Sequence, residues 1–229
     1  MTPVAYSLPG FATSTCAHPV VIDPAFDPRD IQATDDLLTL SHTEEGLALY
    51  EYARRTRGSI LEIGTYCGHT ALFLGYGIRN RPAETRKDAE VFAMDTFTGL
   101  DGRDSEHADM QALHARSKPT TFPRFVRACK AHGVWDIMHP VIDDSAHAHA
   151  LWTHGKNLGL LFIDGDHRRA MADFLQYAPF LRNDGYVCFH DYWPELPLVM
   201  RDVDALVEKG LIIPVERIHT LFIARIPPR

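Results

Sequence analysis

Two apolar runs in the second half of the chain end in acids and histidines. LLFID leads into Asp164-Gly165-Asp166-His167, and YVCFHD closes on His190-Asp191. In an open parallel sheet, ligands bind at the carboxyl ends of the strands, so these side chains are expected to converge along one edge. A carboxylate facing a dry crevice is costly unless it is paired or bound to a cation, and oxygen donors suit Mg²⁺ or a similar hard ion. Asp164, His190 and Asp191 are therefore candidate metal ligands. The imidazole shifts the set toward Mn²⁺, Fe²⁺ or Zn²⁺. His167 is the candidate general base, because an imidazole titrates near neutrality and can accept a proton during a reaction. Asp166 is the alternative base, weaker unless desolvated. Blander roles stay open for each: Asp164 or Asp166 as a helix N-cap, His190 as a buried histidine satisfied by a backbone carbonyl, and His167 as a helix-end residue.

A second locus lies in SILEIGTYCGHTALFL, where Gly64 and Gly68 stand between an apolar strand and a helix. Glycines there let a ligand approach the backbone and leave the helix N-terminus free for it. The spacing is G-x-x-x-G after Glu62, not the G-x-G-x-x-G of a dinucleotide site. A purely structural turn has the same appearance. VFAMD then ends in Asp95, placed to accept hydrogen bonds from both hydroxyls of a ribose. Its distance from Gly64 exceeds the usual ~20 residues. The polar run at 79–90 absorbs the excess as a longer helix end and loop.

The elements that must carry these residues alternate. A helix is predicted from Asp27-Pro28 to about Leu40. The capping-box spacing of Ser41-His42-Thr43-Glu44 opens another, with Leu47, Tyr50 and Ala53 on one side. Then come SILEI, a helix from about His69, VFAMD, a helix near 121–132, IMHPVI, a helix near 145–154, and LLFID. Met171, Phe174, Leu175, Ala178 and Leu181 recur at helical spacing, Asn183-Asp184-Gly185 turns the chain, and YVCFHD follows. A last helix spans about 196–209, and LIIPVE with HTLFIARI reads as an antiparallel hairpin. Alternation of this kind predicts an α/β doubly wound sheet, mostly parallel. Residues 1–40 form an N-terminal arm and helix, residues 41–229 the main domain, and the long polar stretch 97–118 a lid or helical insertion.

At 229 residues and 45% hydrophobic composition, the chain suits one domain. A formal charge of −7 without a basic cluster argues against nucleic acid as a partner. The four cysteines are dispersed, with no C-x-x-C pair, which favours reduced thiols over a disulfide framework or zinc site. His139, His147, His149 and His154 make no ligand set, since His147 and His149 fall on different helix faces. No signal peptide or membrane-length apolar run is legible, so a cytoplasmic protein is expected.

LEIGTYCGHTAL, AMDTFTG, VIDDS, FIDGDH and GYVCFHDYW, in this order, resemble the class I S-adenosylmethionine-dependent methyltransferases, in particular the metal-dependent O-methyltransferases of sugars and phenols. The resemblance spans roughly residues 43–226. It implies a seven-stranded Rossmann-like sheet with an antiparallel last strand, and S-adenosylmethionine as cofactor. Glu62, Gly64 and Gly68 would face its methionine part, with Thr65 and Tyr66 lining the same turn. Asp95 would take the ribose, and Asp144 with Ser145 the adenine side. It implies ligands at Asp164 and at an acid pair after the fifth strand, here His190 and Asp191. His190 departs from that pair. The expected reaction is metal-assisted O-methylation of a hydroxylated small molecule, with the arm exchanged in a homodimer. Non-methylating chemistry on the same fold, a nucleoside-binding module and a nicotinamide oxidoreductase are the alternatives.

Overall fold

The computed structural model describes residues 22–34, 37–99, 112, 115–153 and 157–228. Most of the expected arm, most of the expected lid and His154 lie outside them.

The apolar runs become strands buried on both faces, as a parallel sheet covered by helices requires. β1 (Ser59–Ile63) and β4 (Leu158–Ile163) are buried at every position, and β2 (Val91–Asp95) at all but its last residue. They join β3 (Met138–Ile142), β5 (Leu181–Phe189), β6 (Ile213–Ile218) and β7 (Leu221–Arg225) in one seven-stranded sheet of order β3-β2-β1-β4-β5-β7-β6. Strands β1 to β5 pair in parallel; β7 runs antiparallel to both β5 and β6. This is the doubly wound, Rossmann-like methyltransferase architecture expected from the motifs.

Side-chain alternation along each strand splits the core in two. Ile60, Leu160, Phe162 and Cys188 face the layer of α1 (Thr43–Arg55), α2 (His69–Arg79) and α3 (Phe122–Ala131). Leu61, Ile63, Leu161, Ile163, Val187 and Phe189 face the other layer. There they meet α4 (Ser145–Ala150), α5 (Ala170–Tyr177) and α6 (Pro197–Glu208). Each fully buried Leu, Ile or Phe contributes roughly 1.5–3 kcal/mol. The same parity sends Glu62 toward α2 and His190, one step beyond β5, toward α1.

Three expectations change. Where a helix was expected over 28–40, Pro28–Asp30 form a 3-10 turn and the described residues 31–34 and 37–40 are not helical. Asp27 does cap that turn, but Ile31, Leu37 and Leu38 are all buried, and the Thr34 hydroxyl accepts the Leu37 N–H, closing a local turn in place of a helix. The capping box at α1 is shifted by one residue: His42 is the N-cap, and Glu45 accepts its N–H at 2.9 Å. The turn expected at 183–185 lies inside β5 as an irregularity. Register steps from Leu158↔Leu181 to Leu160↔Tyr186, so Asn183, Asp184 and Gly185 bulge out of the ladder. Among the described residues, no helix is long and apolar enough to cross a membrane.

Candidate active site

The carboxyl ends of β1, β2, β4 and β5 share one edge, and the turn after β1 opens it. Gly64 has φ +95, and a Cβ there would stand 2.1 Å from the Asp164 carbonyl oxygen. Only glycine lets the ends of β1 and β4 approach this closely. Gly68, at φ +94, lies against the Phe125 ring and starts α2. Between them Tyr66 has φ 52, and past β2 Phe97 has φ 53, conformations that cost a non-glycine residue ~1–2 kcal/mol. Asp95 compensates both: one oxygen accepts the Tyr66 N–H at 2.7 Å and the other the Phe97 N–H at 2.6 Å. Burial pushes its carboxyl upward, and these two N–H donors oppose the shift. Each oxygen keeps a further lone pair for a ligand hydroxyl.

Glu62 is fully buried beneath α2, and the hydroxyls of Thr65 and Thr70 donate to its two oxygens. Burial pushes its pKa up to about 8; the hydroxyls offset part of that, and the charges of Asp164 and Asp95 add to it. A neutral carboxyl at pH 7 beside a glycine turn is poised to ionise against an arriving cation.

At the neighbouring strand ends, Asp164, His190 and Asp191 offer three ligand atoms, all within 4.8 Å of one another. His190 Nδ1 is 3.1 Å from Asp164 Oδ1 and 3.2 Å from Asp191 Oδ1. Donors ~2.0–2.1 Å from a shared ion and at about right angles have these two separations, and atoms as much as 4.8 Å apart would have to draw closer to share one. Two carboxylates and an imidazole are a donor set of the right chemistry for a divalent ion.

Asp191, at φ 60, uses its other oxygen on His167, whose Nε2 is 2.8 Å away. That hydrogen bond raises the His167 pKa, against the effect of burial. Burial would raise Asp191 too, but the hydrogen bonds from His167 and His190 hold it well below the ordinary carboxylate range. Burial would lower His190, yet the carboxylates of Asp164, Asp191 and Glu45 outweigh it and push the imidazole far upward. Asp164 is raised by burial and eased by His190.

The remaining predicted residues lie elsewhere or are engaged. Asp166 caps the 3-10 turn His167–Arg169 and pairs with the Arg168 guanidinium, which lowers its pKa. Asp144 caps α4 through the His147 N–H at 2.9 Å. The Ser145 hydroxyl is committed to Asp173 on α5 at 2.7 Å, and the Tyr177 hydroxyl donates to the Ser145 carbonyl. Thr65 is buried against Glu62. His139 faces Glu90, and His147 faces Asp143.

One residue at this edge escaped sequence reasoning. Glu45, in the first turn of α1, is 0% exposed and lies 3.0 Å from His190 Nε2. Burial would raise its carboxyl, but His190, the His42 N–H and Thr220 together hold it at about 2. A signal existed: Glu45 falls on the buried α1 stripe with Ala48, Leu49 and Tyr52, where an acid needs a partner.

Comparison with known proteins accords with this fold. A family model described as "Methyltransferase domain" matches residues 61–192, more than half of the chain. Among solved structures, the O-methyltransferase NovP is similar, with TM-score 0.63 and 16% identity over 83% of this chain and 82% of that one. The O-methyltransferase TomG from Streptomyces achromogenes, involved in tomaymycin synthesis and solved with SAM, has TM-score 0.60 and 15% identity, covering 90% of each chain. An O-methyltransferase from Bacillus cereus in complex with SAH has TM-score 0.57 and 13% identity, covering 81% of each.

Proposed function

The chain belongs to the methyltransferase-domain family, and from that premise we propose that it moves the methyl group of S-adenosylmethionine to a hydroxyl oxygen of a small molecule, assisted by a divalent ion. The observation that carries this reading is the joining of the glycine turn, Asp95 and buried Glu62 to the Asp164, His190, Asp191 and His167 group along one sheet edge. TomG and the Bacillus cereus enzyme, solved with SAM and SAH, lend support as relatives in fold.

Glu62 ionises against the ammonium of the cofactor's amino-acid end, and Asp95 accepts from the ribose hydroxyls while holding the turn. Asp164, His190 and Asp191 would hold the ion, which when bound would lower the pKa of the acceptor hydroxyl and orient it. His167 keeps its Nε2 proton on Asp191, which leaves Nδ1 to accept a proton. As the oxygen–methyl bond forms and the sulfur–methyl bond breaks, the hydroxyl proton passes to His167 Nδ1, and S-adenosylhomocysteine is the second product. The chain's main contribution is alignment, worth up to ~7–11 kcal/mol of barrier.

A panel of hydroxylated small molecules incubated with enzyme, S-adenosylmethionine and Mg²⁺ or Mn²⁺ tests the proposal by mass spectrometry. Gain of one methyl group with stoichiometric S-adenosylhomocysteine is the expected result. Calorimetric binding of S-adenosylhomocysteine with no transfer to any member of a broad panel would favour a nucleoside-binding module.

A further inference from the structure

Glu45 is contributed by α1, outside the strand-end motifs, yet it closes the site from behind. Its Oε1 accepts the Thr220 N–H at 2.9 Å and the Thr220 hydroxyl at 2.8 Å. Its Oε2 accepts the His42 N–H at 2.9 Å and faces His190 Nε2 at 3.0 Å. Two backbone N–H groups, the Thr220 hydroxyl and the imidazole surround the two oxygens, an environment that suits the ionised carboxylate, which can only accept. An acceptor-only oxygen facing Nε2 requires the proton on Nε2. Nδ1 is then the nitrogen toward Asp164 and Asp191, 3.1 and 3.2 Å away, and the proton it shares with them must leave when an ion takes its place. Thr220 begins the approach to β7, so the carboxylate is clamped between the first turn of α1 and the β6–β7 hairpin, and the ring of His190 has little freedom to turn.

A carboxylate that takes the second N–H of a ligating histidine fixes its tautomer and ring orientation and raises its basicity as a donor. We infer that Glu45 is a positioning residue that presents His190 Nδ1 as a ligand, so that the Asp164, His190 and Asp191 set prefers a borderline ion such as Co²⁺ or Zn²⁺ over Mg²⁺. This rests on the metal-assisted reading above. Imidazole nitrogen suits these ions, whereas Mg²⁺ favours oxygen and retains its water. Without Glu45, Nε2 keeps only the longer 3.4 Å contact to the Thr220 hydroxyl, and the ring is held less firmly with Nδ1 forward.

The test is titration of the metal-stripped protein with Co²⁺ and, separately, Mg²⁺, by calorimetry and by the visible absorption of bound Co²⁺. Wild type is expected to bind Co²⁺ more tightly than Mg²⁺. Glu45→Gln is expected to lose about 10–100-fold in Co²⁺ affinity, with an altered Co²⁺ spectrum and a narrower preference. Absence of binding of either ion to wild type overturns the metal-assisted reading and this inference with it. Equal Co²⁺ affinity and an identical spectrum in the two proteins overturn the role of Glu45 alone and leave the metal site standing. A measurement on wild type covers the case in which Glu45→Gln does not fold. With ¹⁵N-labelled histidine and ¹¹³Cd²⁺, the metal coupling is expected on His190 Nδ1, with a proton on Nε2. Coupling to Nε2 refutes the inference.

Discussion

Replacing Glu62 by glutamine keeps the shape of the site beneath α2 but removes one titration, and the consequence can be worked from burial. Glu62 is 0% exposed and its pKa is pushed up to about 8; in the unfolded chain it returns to ~4.3. A group whose folded pKa is raised contributes stability that is complete below the unfolded value and is lost as pH rises toward the folded one. Within that window each pH unit costs about 1.4 kcal/mol. Between pH 6 and 9 the curve flattens above 8, and the loss from this residue comes to roughly 2–3 kcal/mol. Urea unfolding of wild type and Glu62→Gln at several pH values isolates it, because the other titrations cancel in the difference. Wild type is expected to lose stability against the variant up to about pH 8 and to run parallel above. If the cofactor's ammonium faces Glu62, saturating S-adenosylhomocysteine binds more tightly as the carboxylate forms and offsets the wild-type slope. Parallel pH curves for the two ligand-free proteins from 6 to 8 would refute a protonated Glu62 at neutrality.

Four further outcomes follow from the same geometry. Asp95→Ala removes both N–H acceptors of the turn and the ribose partner, so calorimetry should show S-adenosylhomocysteine affinity falling by about 10- to 150-fold, from ~1.5–3 kcal/mol of lost charged hydrogen bonds. His167→Gln should lower kcat by roughly 10²–10⁴ in single-turnover assays with cofactor affinity little changed, and a parental rate would move the base elsewhere. Chelation should abolish turnover reversibly, and full activity in metal-free enzyme verified by elemental analysis would remove the ion from the reaction. Gly64→Ala meets both a left-handed φ and the Asp164 carbonyl at 2.1 Å. The expected destabilisation is about 1–3 kcal/mol in urea.

Much of this protein was legible in local pattern. Apolar runs of strand length alternating with 3.6-residue periodicity specify a doubly wound sheet, because each strand must be buried on both faces and each helix on one. That the acids and histidines just past β4 and β5 would cluster was readable, since parallel strands align their carboxyl ends along one edge whatever the loops do. Gly64 was legible for a similar reason: a strand-to-helix turn against a neighbouring strand leaves no room for a Cβ. Where an element depends on distant partners, the pattern failed. Residues 28–40 carry a proline start and apolar residues at helical intervals, yet burial of Ile31, Leu37 and Leu38 and the turn at Thr34 outweigh a weak helical tendency. The irregularity inside β5 arises from pairing with β4, which a single strand's sequence does not contain. Asp144 and Ser145 stand where the motif order put them, but their bonds to α4 and α5 could be assigned only once those helices were packed. Glu45 is the clearest case. Its sequence neighbours describe a helix N-terminus, where an acid is ordinarily solvated and answers the helix dipole. Its partners His190 and Thr220 are 145 and 175 residues away. Only the sheet, by turning His190 toward the α1 layer and bringing β7 back beside β5, makes that glutamate a buried acceptor, because alternation along a strand sets which way a side chain points but not what will be waiting there.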